Sequence, residues 1–311
     1  MGIIYSNDIN KLNKDNLLEL YGNSYDYLEA FKNSNYLLSL DNDKLVGAIR
    51  YITEGIETAL VVDLKVNHNN SYEIKKNLIK GIEDKLIGKR IMFNSNLDDI
   101  DLLEELGYNR CKNAWTYLEN APDLKNSNLF LPLGFSYLGE EKTRKGKDKI
   151  NENIKYEFGY NEEKNNEIND VLSDAFGHLH DVNKTKEAFI NSQYVILAYI
   201  DNKLVGVARA LGDSKLYATI LNVAVSKQYQ GLGIGTNIIL RLSKEIKEKL
   251  IILNTHPGAV GFYNSIKEYR RNKYLFERRI PFLNEEIRIP KDNSFFNKMF
   301  TEKGFRFKDE L

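Results

Sequence analysis

The stretch best placed to do chemistry is Gln228-Tyr229-Gln230-Gly231-Leu232-Gly233-Ile234-Gly235-Thr236, with three glycines on alternate positions. Without Cβ atoms a backbone can approach a ligand closely. If a helix starts there, successive N–H groups and the positive end of its dipole converge on one point, which suits a pyrophosphate. A P-loop needs Gly-Lys-Ser/Thr, and Gly235-Thr236 has no lysine between its residues. The dinucleotide fingerprint needs G-x-G-x-x-G early in a βαβ unit, whereas the spacing here is G-x-G-x-G. Taken alone, the stretch also fits a tight turn that holds nothing.

Cys111 is the only cysteine, so no intrachain disulfide can form. It reads as a buried thiol in a reducing compartment, since no histidine neighbours it in sequence. No His/Cys/Asp cluster has metal-ligand spacing, and no metal is expected.

The elements that must position the glycine turn come in two copies. Phe31-Lys32-Asn33-Ser34-Asn35-Tyr36 recurs as Phe189-Ile190-Asn191-Ser192-Gln193-Tyr194, Lys44-Leu45-Val46-Gly47 as Lys203-Leu204-Val205-Gly206, and Arg50 as Arg209. Residues 59–67 then fall on 218–226, residues 91–96 on 251–256, and Tyr108 to Lys112 on Tyr269 to Lys273. Order and near-constant offset define an internal repeat. In the second copy, Ile168 to Phe176 and Lys184 to Asn191 have helical spacing. Tyr194 to Tyr199 and Leu204 to Ala210 read as strands joined by the turn Asp201-Asn202. Tyr217 to Val225 is a longer strand that runs into the glycine turn. A helix from about Thr236 to Lys249 and a short buried strand, Ile251 to Leu253, come next. The charged run Lys142 to Lys149 reads as a solvated linker between the copies.

The glycine turn resembles the Gln/Arg-x-x-Gly-x-Gly/Ala motif of the GCN5-related N-acetyltransferases (GNAT). Both Gln228-Gly231-Gly233 and Gln230-Gly233-Gly235 satisfy it. The likeness extends through Asn191-Ser192, Leu204-Val205-Gly206, Arg209, Asp213, Asn254-Thr255-His256-Pro257-Gly258 and Phe262-Tyr263, roughly residues 155 to 275. It implies an α+β fold: two tandem acyl-CoA N-acyltransferase folds, each a mixed twisted sheet flanked by helices and splayed at its centre to admit the cofactor. It implies acetyl-CoA as cosubstrate. Gln230, Gly231, Leu232, Gly233, Ile234, Gly235 and Thr236 would hold its pyrophosphate, Val223-Ala224-Val225 would pair with the pantetheine arm, and Asn254 would be a further contact. Tyr263 stands where the family often has its general acid; a phenol with pKa near 10 can protonate the departing thiolate. A core tyrosine is the alternative. The family's Gly-Phe shortly after that tyrosine is missing, since residues 265–269 read SIKEY, and Gly-Phe occurs only at Gly304-Phe305. The last strand is therefore expected after an insertion of about 35 residues. Asn222 stands where many relatives carry an acidic base. His178, His180, Asp181 and His256 are candidates, each also readable as a surface or structural residue, and no base is assigned.

The first copy has Tyr72 and Ile74 where Gly231 and Gly233 stand, and Leu103 in place of Tyr263. The expected organisation is thus a degenerate copy over 1–138, a charged linker over 139–153 and a catalytic domain with a C-terminal extension over 154–311. The expected reaction is direct transfer of acetyl to a small-molecule or peptide amine in a ternary complex. A non-catalytic CoA-binding regulatory module is the alternative, and a different nucleotide-binding enzyme is a further rival.

Length and composition agree. At 311 residues two domains are expected. With 44 basic and 44 acidic residues there is no broad basic surface for nucleic acid or anionic membrane. No apolar run approaches the ~20 residues of a membrane span. The Met1-Gly2 start fits a loose myristoylation pattern, and Lys308-Asp309-Glu310-Leu311 mimics an ER-retention signal. Both read as chance in a cytoplasmic bacterial protein, a monomer or homodimer, whose Lys, Asn and Ile usage suggests an AT-rich genome.

Overall fold

The computed structural model describes residues 2–22, 25–111, 113–117, 130–131 and 154–279. The linker at 139–153, the Gly304-Phe305 pair and the Lys308–Leu311 tail lie outside the described residues. The first half runs β1 (Ile4–Ser6), α1 (Lys14–Tyr21), α2 (Tyr25–Lys32), β2 (Asn35–Asp41), β3 (Lys44–Thr53), β4 (Thr58–Val66), α3 (Ser71–Glu83), β5 (Arg90–Asn94), α4 (Ile100–Glu105), β6 (Asn109–Arg110), β7 (Ala114–Tyr117) and β8 (Phe130–Leu131). The second half repeats this series: β9 (Ile154–Phe158), α5 (Asn165–Phe176), α6 (Val182–Ile190), β10 (Tyr194–Ile200), β11 (Lys203–Gly212), β12 (Tyr217–Val225), α7 (Ile234–Glu245), β13 (Leu250–Asn254), α8 (Val260–Asn264), β14 (Tyr269–Asn272) and β15 (Leu275–Arg279).

Local chemistry sets several boundaries. Asp181 caps α6 by accepting from the backbone N–H of Asn183 and Lys184, and Gly177 closes α5 in the left-handed region. Asp201 and Asn202 take φ of 49° and 64°, the two positive values a tight hairpin turn requires. Asn42 and Asp43 do the same in the first half. Helix α7 ends at Glu245, four residues earlier than its pattern suggests. Tertiary demand overrides local propensity here: the fully buried Glu248 accepts from Tyr194 Oη at 2.9 Å and from the Ser214 N–H at 3.0 Å, plugging the space beneath Gly212.

Each half builds a mixed sheet, in which β4–β5 and β12–β13 are the parallel pairs. The strand orders are β1-β2-β3-β4-β5-β15-β6 and β8-β14-β7-β13-β12-β11-β10-β9. The halves have therefore exchanged strands. β7, from the first half, lies between β13 and β14, while β15, from the second, lies between β5 and β6. β14 comes directly after α8, and the place beside β13 is filled by β7; the Gly304-Phe305 pair, where the last strand is expected, is not among the described residues.

The sheets face each other across a shared apolar core: Ile52, Leu60, Val62, Met92 and Leu275 meet Leu211, Leu221, Leu250 and Ile252. Two ion pairs cross this seam in pseudo-symmetric fashion. Arg50 Nη1 reaches Asp213 at 2.5 Å, and Arg209 Nη2 reaches Glu54 at 3.5 Å. Arg50 and Arg209, like Glu54 and Asp213, stand 159 residues apart in the sequence.

Candidate active site

The second sheet opens where the glycine turn lies. β12 and β13 pair only at Tyr217–Leu250, Ala218–Ile251 and Thr219–Ile252, although β12 continues to Val225 and β13 to Asn254. Beyond Thr219 the strands part, and among the described residues the β12 backbone from Ile220 to Val225 has no partner on the β13 side. Val223 and Val225 pack toward α7, while Ala224 packs under α5.

A bulge shapes this strand. Val207 faces Ala224 but Arg209 faces Leu221, so β12 carries one extra residue. Asn222 sits there at φ 52°, a region that asparagine tolerates better than most residues. Its Oδ1 accepts from Arg209 Nε at 2.6 Å.

At the end of β12 the chain makes the glycine turn. Gly231 and Gly233 take φ of 82° and 78°, and Gly233 is the N-cap of α7. Glycine enters this left-handed region without the strain other residues incur. A Cβ on Gly231 would meet nothing within 4 Å, so its conformation and open approach, not packing, account for glycine there. Gly233 offers no side-chain cap, which leaves the first N–H groups of α7 for an external acceptor. Gln230 ties the turn to its strand through Nε2 and the Val225 carbonyl at 2.9 Å. Ile234 anchors the helix in the core, Leu232 packs partly against it, and Thr236 is half-buried. Beside Gly235 the ring of Phe262 stands 3.4 Å from where a Cβ would be.

Tyr263 packs edge-on to Phe262, at 4.9 Å between ring centroids, and to Tyr269, at 6.1 Å. It is 4% exposed within the α7 core, and burial pushes its phenol well above the ordinary range. Asn254 turns to the other face. Its Nδ2 donates to Glu277 Oε2 at 2.9 Å and lies 3.5 Å from Cys111 Sγ. Sequence reasoning missed Glu277, because its strand belongs to the opposite sheet. Burial and then the carboxylate of Glu277 push the Cys111 thiol up, consistent with an inert buried cysteine.

The candidate bases are separated. Asp181 is spent on capping α6. His256 Nδ1 accepts from the Gly258 N–H at 3.1 Å. His178 and His180 stack 4.6 Å apart beside Phe176, and desolvation lowers the His180 pKa.

The first half closes the equivalent opening. Its core residues Ile74, Leu78, Ile79 and Ile82 occupy the places of Ile234, Ile238, Ile239 and Leu242. Ile74 is therefore a core residue rather than a side chain in the pyrophosphate space, and Glu73 stands at the Gly233 position. Lys75, in the place of Gly235, donates to the buried Asp99 at 2.6 Å. Lys76 and Tyr72 both bind Glu105. These contacts tie α3 to the α4 region across the gap. Gly235, Thr236, Leu232, Ala259 and Ser265 hold the corresponding places in the second half, and none is charged.

Residues 159–272 match the model of the acetyltransferase (GNAT) domain. A ycf52-like uncharacterized N-acetyltransferase of Prochlorococcus marinus is 28% identical over 106 residues, 32% of this chain and 59% of that protein. The ycf52 uncharacterized N-acetyltransferase of Pyropia yezoensis is 33% identical over 103 residues, 30% of this chain. The chain thus spans 59% of the length of these curated relatives. Among solved structures, a GCN5-related N-acetyltransferase from Sphaerobacter thermophilus aligns over 90% of this chain and 96% of its own, at 11% identity and a TM-score of 0.48. The second of the two repeated units of this chain is a domain of the GNAT acetyltransferase superfamily.

Proposed function

We propose that this protein is an acetyl-CoA-dependent N-acetyltransferase whose second half alone binds the cosubstrate and transfers acetyl to a primary amine. The observation that carries this reading is the glycine turn at the mouth of the β12–β13 opening, with two left-handed glycines and a helix N-terminus that has no side-chain cap. A pyrophosphate suits the positive end of that helix. Gln230 to Thr236 would hold it, and the unpaired edge of Val223, Ala224 and Val225 would accept the pantetheine amides as a strand does. Asn254 would border the arm from β13.

The reaction is attack of the neutral amine nitrogen on the thioester carbonyl carbon. The C–S bond then breaks, the thiolate takes a proton, and the amine gives one up. Tyr263 is the donor we assign, through its place beside Phe262, whose ring stands against Gly235. Its burial keeps the phenol protonated but makes it a weak acid. That same burial favours the second reading, a CoA-binding regulatory module without turnover. Incubating the full chain with acetyl-CoA and a panel of primary amines, and monitoring free thiol, separates them. Amine-dependent thiol release supports the enzyme; tight CoA binding without release supports the regulator.

A further inference from the structure

The two arginines at the seam sit in unequal surroundings. Arg50 in the first half is enclosed. Asp63 takes its Nε at 2.9 Å and Asp213 its Nη1 at 2.5 Å. Tyr27, Phe31 and Tyr217 place their rings 5.6–5.8 Å from the guanidinium, and Tyr21 donates to Asp63 at 2.8 Å. Burial alone would lower this arginine's pKa, but the two carboxylates outweigh it.

Around Arg209 the three tyrosines are gone. Phe189 repeats Phe31, at 5.9 Å. Thr58 stands where Tyr217 stands, Thr185 where Tyr27 stands, and Phe176, at the Tyr21 position, is 42% exposed. Asn222 replaces Asp63, so a neutral amide holds Nε. Glu54 replaces Asp213 and meets Arg209 only at 3.5 Å through Oε1, which also accepts from the N–H groups of Glu57 and Thr58. Glu54 Oε2 has no hydrogen-bond partner among the described residues, although its side chain is 0% exposed. His180 Nε2 is likewise buried without a partner. Glu57 is exposed at the rim, close enough to act electrostatically on both Arg209 and His180. A buried carboxylate oxygen without a donor costs about 1–3 kcal/mol or more unless something supplies one.

We propose that the β3–β4 turn of the first half, Glu54 to Thr58, is part of the second half's acceptor site and recognises the acceptor as a cation. The ammonium of a primary amine meets Glu57 at the rim and donates to Glu54 Oε2 over Asn222, on the side of Arg209 that corresponds to the three tyrosines of the first half, and it gives up one proton to water before the neutral nitrogen attacks the thioester. The Glu54 side chain is fully buried, so an acceptor reaches it only when neighbouring groups move; the segment 177–181, which brings His180 near Glu57, has Leu179 92% exposed at its tip. The first half would then be retained to choose the substrate. This assignment rests on the acetyltransferase reading above.

The test uses the full chain and a panel of amines, some cationic and some uncharged at the assay pH. Glu54→Gln and Glu57→Gln should raise KM for cationic acceptors about 10–100-fold, the loss expected for one charge-assisted hydrogen bond. CoA affinity by calorimetry should not change, and the preference for cationic over uncharged amines should shrink. Thr58→Tyr, which rebuilds the filler present at Tyr217, should block transfer while CoA affinity and the thermal melt are retained. Wild-type KM and wild-type cation preference in both glutamate variants, or normal transfer by a folded Thr58→Tyr chain, would overturn the proposal. A wild-type chain with no turnover on any amine overturns the acetyltransferase reading before a variant is made. An active wild type with indifferent variants overturns only the role of the first half.

Discussion

Expressing residues 154–311 without the first half should yield a chain that does not fold. The physical reason is β7. In the intact protein its four residues pair with β13 at four positions and with β14 at three, so their loss unzips the middle of the second sheet. Each backbone hydrogen bond contributes a net ~0.5–1.5 kcal/mol, and the buried Tyr117, 3% exposed, contributes about 2 kcal/mol more. Together these amount to roughly 5–10 kcal/mol, comparable with the whole stability of a typical domain at about 5–15 kcal/mol. The truncation also bares the edges of β13 and β14, which invites intermolecular pairing. It leaves β15 with no sheet to join as well. The assay is near-ultraviolet circular dichroism with urea titration of residues 154–311, alone and after co-expression with residues 1–138. Folded signal should return only in the co-expressed pair. A cooperative urea transition of the isolated fragment, with a midpoint near that of the full chain, would refute the reasoning.

Three further outcomes are expected. Gly233→Leu should weaken CoA binding at least tenfold by calorimetry, because the side chain enters the approach to α7 and φ of 78° costs a non-glycine residue about 1–2 kcal/mol. Unchanged affinity would move the pyrophosphate elsewhere. Tyr263→Phe should lower kcat about 10²–10⁴-fold while leaving CoA affinity and the melt alone, since it deletes only the hydroxyl; a folded variant with chemistry-limited, native kcat assigns the acid to another group. Alkaline pH should destabilise the protein: burial and then Glu157 push Tyr199 up to about 12, so the folded state holds that proton more tightly than the unfolded one. This contribution to stability is therefore complete below pH about 10 and is lost as pH rises to about 12. The Tyr199 share of the phenolate absorbance, taken as the difference between the wild type and Tyr199→Phe, should appear together with loss of the far-ultraviolet signal rather than before it.

The sequence made the repeat and the glycine turn legible because both are local. Gly231 and Gly233 announce a backbone conformation, and Asp201-Asn202 a hairpin, without reference to any distant residue. The choice of partner strand is not local. Ala114 to Tyr117 and Leu275 to Arg279 would suit either sheet, and only the packing of the two halves decides that they cross over. The same crossing hid Glu277 from Asn254 and Glu54 from Arg209. The first-half register was one residue off for a related reason. Buried Ile74, Leu78 and Ile82 fix α3 against the sheet, whereas the letters around the turn match equally well one position away. The end of α7 escaped too, since Lys247 and Lys249 are good helix formers and only the burial of Glu248 pulls the chain out of the helix. Sequence reading therefore succeeded where a residue's own φ or its immediate neighbours decide, and stopped where contacts between the halves decide.

The most direct test of the central claim is the stoichiometry of CoA on the intact chain. Isothermal titration of acetyl-CoA should give one site per chain, with the Lys75–Asp99 and Lys76–Glu105 pairs keeping the first half closed. Two sites per chain, or no binding at all, would contradict the account.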